Sequence, residues 1–119
     1  MFAQTMHRAV VAQVPFEFMV GNKIIPAGEC VVVTESQNVV SIHNYSAKQG
    51  AFSSALRADE NKGDRTVLAF ERRGGQYFLA EIEIEGSNLT YKLPEGRAEA
   101  ELRAQNAPAS TVTLLAALK

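Results

Sequence analysis

The chain has one cysteine, Cys30, among its 119 residues. It therefore forms no internal disulfide and no cysteine-based metal cluster. Histidine is almost as scarce, at His7 and His43, and no Cys/His/Asp set with ligand spacing surrounds either. No run of about 18 apolar residues occurs, so no segment reads as a membrane-spanning helix. An excess of basic charge is missing too. Twelve Lys and Arg against thirteen Asp and Glu give a net charge of -1, without the footprint that nucleic acid or an anionic membrane calls for. The N-terminus lacks the basic start and apolar stretch of a signal peptide. Phe2-Ala3-Gln4 behind Met1 nevertheless resembles the small-residue ending left where such a signal has been trimmed.

What is present is the composition of an ordinary globular protein, 46% hydrophobic and 21% charged. A chain of this length buries roughly two-thirds of its unfolded surface and folds without a metal or disulfide. Residues 1–119 are read as a single β-rich domain.

Apolar residues recur with period 2 along most of the chain, the signature of strands. The first stretch runs from about His7 to Val20 and is interrupted by Pro15, which cannot donate to a ladder. Gly21-Asn22 reads as a two-residue type II′ hairpin turn returning through Lys23-Ile24-Ile25. Further strands are expected over Glu29 to Thr34, Val39 to Tyr45 and Ala51 to Arg57, with a polar surface loop from Ala58 to Arg65.

The best-defined unit is a hairpin from Thr66 to Glu85. A two-residue loop at Gly74-Gly75 would set Phe70 opposite Leu79 and Leu68 opposite Glu81. A three-residue loop, Gly74-Gly75-Gln76, would set Phe70 opposite Ala80 and Leu68 opposite Ile82. A one-residue slip turns every side chain over, so the second register, with its Phe70–Ala80 pair, is the one expected. After a short strand from Leu89 to Leu93, helical character appears only over about 94–106. Pro94 sits in the first turn, Glu99 and Arg103 are spaced i,i+4, and Ala98 and Leu102 anchor the helix lightly. A last strand is expected at about 111–118. The architecture is therefore mainly β: an antiparallel small barrel or a two-sheet sandwich of about seven to nine strands, with one surface helix near the C-terminus.

The run Val14-Pro15-Phe16-Glu17-Phe18-Met19-Val20-Gly21-Asn22-Lys23 followed by Ile25-Pro26-Ala27-Gly28 resembles the opening of an uncharacterised group of small exported bacterial proteins. Their opening is a Val-Pro-Phe-x-Phe-x-Val-Gly stretch followed by Leu-Pro-Ala-Gly-x-Tyr. The likeness continues through Phe70-Glu71-Arg72, Gln76 to Ala80, and Leu93-Pro94 before a charged helix. It implies a compact β-domain and a precursor with a signal peptide, hence a periplasmic or secreted protein; without export the chain would be cytoplasmic. It brings no activity, cofactor or site residues. Cys30 stands where the group usually has tyrosine.

Candidate chemistry is sparse. Ser41, His43 and Tyr45 share a strand face, but a serine–histidine pair with no acid to orient it is not a triad, and a polar solvent-facing stripe is the expected reading. Glu81, Glu83 and Glu85 align on one strand face, where like charges mark a solvated side more often than a cation site. Cys30 begins a valine-rich strand and reads as a buried small residue. Gly74-Gly75 precedes no helix and cradles no phosphate. Phe16, Phe18, Phe52, Phe70, Phe78 and Tyr77 are assigned mostly to the core. No catalytic, cofactor or metal residues are assigned. The favoured expectation is a non-catalytic exported module binding a protein or envelope component through an edge strand or exposed face, with a homodimer among the assemblies open to it. A carrier of a small apolar ligand in a barrel interior is the alternative, and an enzyme comes last.

Overall fold

In a computed structural model, which describes residues 9–59, 65–85 and 89–118, the chain folds into two facing sheets. Twelve strand segments and one helix are found among the described residues. The first four are β1 (Ala9–Val14), β2 (Phe18–Val20), β3 (Lys23–Ile25) and β4 (Gly28–Thr34). They are followed by β5 (Val39–Asn44), β6 (Gln49–Ser54) and β7 (Leu56–Asp59). Next come β8 (Val67–Arg73), β9 (Gln76–Glu83) and β10 (Leu89–Lys92). Helix α1 (Arg97–Ala104) precedes β11 (Ala109–Leu115) and β12 (Ala117–Leu118). The count exceeds seven to nine because the chain bends where a continuous strand was expected, each bend carrying it from one sheet to the other.

Sheet A has the order β12-β1-β4-β5-β6 and sheet B the order β11-β8-β9-β10-β7, with β2 attached to β9 and β3 to β2. The sheets do not close into a barrel, so the sandwich is the form adopted. Pairing is antiparallel except for one parallel contact, Met19 opposite Phe78 between β2 and β9. The chain changes sheet at Pro15-Phe16-Glu17, at Pro26-Ala27, at Ala55 and at Ala116. These are the corners of a sandwich, where a strand leaves one layer and its backbone groups need new partners. Ala55 N–H donates to Asn38 O at 2.7 Å, and Ala116 N–H to Thr66 O at 2.9 Å. At the second corner the buried Asn44 side chain donates to Pro26 O and Ala27 O, both at 3.1 Å, and accepts from Ala47 N–H.

The central hairpin corrects the expected register. Gly74 and Gly75 have φ of 55° and 81°, as a two-residue type I′ turn requires, and glycine reaches that region without strain. Arg73 therefore opposes Gln76 and Phe70 opposes Leu79, not Ala80. Farther from the turn Leu68 still faces Ile82, because the ladder shifts between Ala69 and Phe70 and leaves Ala80 as the extra residue of a bulge. Turn and core each take the register they need, and one inserted residue reconciles them. The bulge lies where the second edge of β9 passes from β2, at Phe78, to β10, at Glu81 to Glu83. The carbonyl of Ala80 accepts from Leu93 N–H at 2.8 Å in that gap.

Between the sheets lie Val10, Val14, Val32, Val40 and Ile42 from sheet A, and Leu68, Phe70, Leu79, Ile82 and Ile84 from sheet B. Phe70 is the hub of the aromatic part, meeting Phe16 and Phe18 edge-on at 5.1 Å each, while Phe16 stacks on Tyr77 at 3.8 Å. Edge-to-face pairs add to area burial about 0.5–1.5 kcal/mol each.

Helix α1 is shorter than expected, starting three residues after Pro94. Its expected Glu99–Arg103 pair is not made: Arg103 instead bonds Glu95 at 2.8 Å, and Glu99 turns inward to Arg73 at 3.4 Å. Leu102 rests beside Gly74, and a Cβ on Gly96 would press on Gly21 O at 2.8 Å, so the helix start sits directly on the β2–β3 turn. His7 and loop residues 60–64 lie outside the described residues. Among the described residues no helix is long and apolar enough to cross a membrane.

Phe70 is fully buried and touches two other rings, so Phe70→Ala should cost about 3–5 kcal/mol. Urea unfolding of the two proteins measures it, and a loss under about 1 kcal/mol would contradict this core.

Candidate functional site

The sequence-predicted residues fall into separate places. Ser41 and His43 do share a face of β5, the outer face of sheet A, but they form no catalytic pair. The Ser41 hydroxyl donates to Glu35 Oε2 at 2.7 Å, so the acid absent from the sequence pattern holds the serine rather than orienting the histidine. His43 stacks against Tyr45, centroids 5.2 Å apart at 7°, and meets Phe52 edge-on at 6.0 Å. The expected polar stripe is an aromatic one. Phe52 is not in the core either, being 67% exposed beside Tyr45 at 65%.

Gly50 allows this arrangement. It lies opposite His43 on β6, and a Cβ there would overlap the imidazole ring. With hydrogen in its place, the ring lies flat across the strand, covering a glycine with an aromatic.

Strand register extends the stripe into a surface. Ala9, Val33, Ser41 and Phe52 form one cross-strand row on the outer face. Ala117, Val11, Val31, His43 and Gly50 form the next, and Gln13 with Glu29 a third. Val11, Val31 and Val33 on this face are half-buried. A sheet wetted on one side normally alternates apolar-in with polar-out, whereas strands apolar on both sides belong to sheets covered on both. β1 and β4 are of the second kind: Val10 and Val32 point into the core while Val11, Val31 and Val33 point away from it.

The outer face of sheet B also carries apolar residues, Val67, Ala69 and Phe78 buried and Leu56 and Leu115 exposed, but they are interspersed with carboxylates. Glu71, Glu81 and Glu83 border an open groove of about 240 Å³ with Thr111 and Thr113, and Thr111 Oγ1 donates to Glu71 at 3.1 Å. Glu85 turns away to accept from Thr66 Oγ1 at 3.0 Å, so the three expected carboxylates are not held together. Among the described residues no group of three or more His, Cys, Asp or Glu is placed to hold a metal ion. Two further open grooves, of about 260 and 290 Å³, flank the Gly74-Gly75 turn.

Two buried groups titrate abnormally. Burial, aided by the nearby Glu29 charge, pushes the Cys30 thiol up to about 11, and its Sγ donates weakly to Gly28 O. Burial also raises the Glu99 carboxyl, joined by repulsion from Glu95 and Glu71 and opposed by the hydrogen bond and charge of Arg73.

Cys30 should resist a thiol-specific reagent at neutral pH in the folded protein and react with one equivalent after unfolding. Rapid native labelling would contradict its burial. For Glu99, the folded state holds the proton more tightly than the unfolded chain. Its contribution is therefore greatest below the unfolded carboxylate pKa and is lost as pH rises through the elevated folded value. Glu99→Gln should flatten that part of the stability–pH curve, read by denaturant melts from acid to neutral. An unchanged or steeper decline would show that Arg73 outweighs burial.

No family model, curated protein or solved structure matches this chain.

Proposed function

We propose that the protein is a non-catalytic binding or assembly module, exported from the cell, whose working surface is the outer face of sheet A. The observation that carries this reading is the apolar character of that face. Three half-buried valines adjoin exposed Phe52 and Tyr45 across paired strands. Isolated exposed apolar residues are ordinary, but a contiguous patch on a sheet face marks a surface that is covered in use. Aromatic residues are the side chains most enriched at such contacts. The opening motif's likeness to exported β-domains supports a place outside the cytoplasm.

The carrier reading needs a closed barrel, and the two sheets form an open sandwich with aromatic and branched side chains between them. The enzyme reading needs convergent titratable groups. Ser41 is bonded to Glu35, and His43 is packed between Tyr45 and Phe52.

Native mass spectrometry of protein recovered from its host, wild type beside Phe52→Glu, tests the reading. A mass above the 12.9 kDa chain that is lost in the variant is expected. A bare chain in both, or an associate indifferent to Phe52, would contradict it.

A further inference from the structure

We infer that the occupant of this face is a second copy of the chain, packed sheet A against sheet A about a two-fold axis running along β4. The inference rests on the reading of the face as a docking surface and adds the identity of the partner.

Relief is the first argument. β4 is the middle strand of sheet A, with β5 and β6 on one side and β1 and β12 on the other. The β5–β6 half stands high, because His43, Tyr45 and Phe52 form a ridge of rings. The β1–β12 half is low over most of its length, since its described outer residues are Ala9, Val11 and Ala117, with the longer Gln13 only at the end beside Glu29. A two-fold axis along β4 lays the ridge of each copy on the low half of the other. Both contacts form at once, as an isologous interface requires. An axis across the strands would instead stack ridge on ridge.

Charge is the second argument. Among the described residues the paired rows of this face contain no lysine or arginine, and the carboxylates Glu29 and Glu35 stand at the two ends of β4 with Val31 and Val33 between them. A neutral apolar centre offers no complement to a charged partner but is a complement to itself. The cost falls at the two ends of the axis, where the exposed Glu29 of each copy approaches its mate and Glu35, bonded to Ser41, does the same.

Area is the third. Four strands of six or seven residues plus the short β12 give a footprint of roughly 440 Å² at ~4.8 Å between strands and ~3.4 Å per residue. The relief of projecting side chains raises the accessible area toward the ~800 Å² per partner of a standard interface.

Sedimentation equilibrium of the full chain, with variants, tests the inference. Wild type should reach twice 12.9 kDa at micromolar concentration. Phe52→Glu should stay folded by circular dichroism and lose at least tenfold in association. Glu29→Gln, relieving the repulsion at the axis, should tighten association severalfold. A double variant, Phe52→Cys with Ala117→Cys, should be joined into dimers by a short bis-maleimide. Within one copy these positions lie on opposite edge strands of sheet A, about 19 Å apart at four strand spacings. A dimer unaffected by Phe52→Glu, or weakened by Glu29→Gln, would overturn the proposed packing. A wild-type chain that is monomeric alone but binds a different protein through Phe52 would overturn the second copy and leave the docking face standing. A chain with no associate at all would overturn both.

Discussion

Two adjacent strands, β1 and β4, carry branched apolar residues on both sides, and most of the structure follows from where those two sides go. A strand's side chains alternate by geometry, so Val10 and Val32 cannot enter the core without sending Val11, Val31 and Val33 to the opposite face. The inward set meets sheet B and supplies the hydrophobic contact on which the sandwich depends. The outward set has no such layer within the described chain. At about 25 cal/mol per Å² of apolar surface buried, covering that face would be favourable, and the proposed docking role draws on that gain.

The sandwich is held at its corners by backbone groups as much as by side chains. Each change of sheet interrupts a ladder, and each interruption has a specific repair: Ala55 to Asn38, Ala116 to Thr66, and the Asn44 amide across Pro26 and Ala27. Ala80 plays a similar part inside β9, giving up its place in one ladder while its carbonyl takes the Leu93 N–H. The repairs fix how the two layers overlie, and so which faces remain outside.

Much of the fold was legible because its signals are local. Period-2 alternation located the strands, Gly21 takes the positive φ expected of a II′ turn, and Leu68 does oppose Ile82. The Phe70 register was missed because one hairpin was assumed to have one register. Turn chemistry and core burial each demanded a different one, and the Ala80 bulge satisfied both. Glu99 was misread for a related reason: i,i+4 spacing on a helix describes only neighbours on that helix, whereas Arg73 arrives from β8, 26 residues away in sequence. The face proposed for docking was the least legible part. Period 2 shows that two sets of residues point apart but not which set is inward when both are apolar. An exposed Phe52 is indistinguishable in sequence from a buried one, although Gly50 opposite His43 marks, once pairing is known, a place where a ring lies across the sheet.

The central claim is that the outer face of sheet A is covered in the working state while the outer face of sheet B is not. Hydroxyl-radical footprinting over a dilution series reads this side chain by side chain. Phe52 and Tyr45 report on sheet A, and Leu56 and Leu115, 75% and 64% exposed, project from the outer face of sheet B. Oxidation of Phe52 and Tyr45 should fall as concentration rises while Leu56 and Leu115 react at a constant rate. Equal reactivity of all four at every concentration, or protection of the leucines instead, would contradict the account.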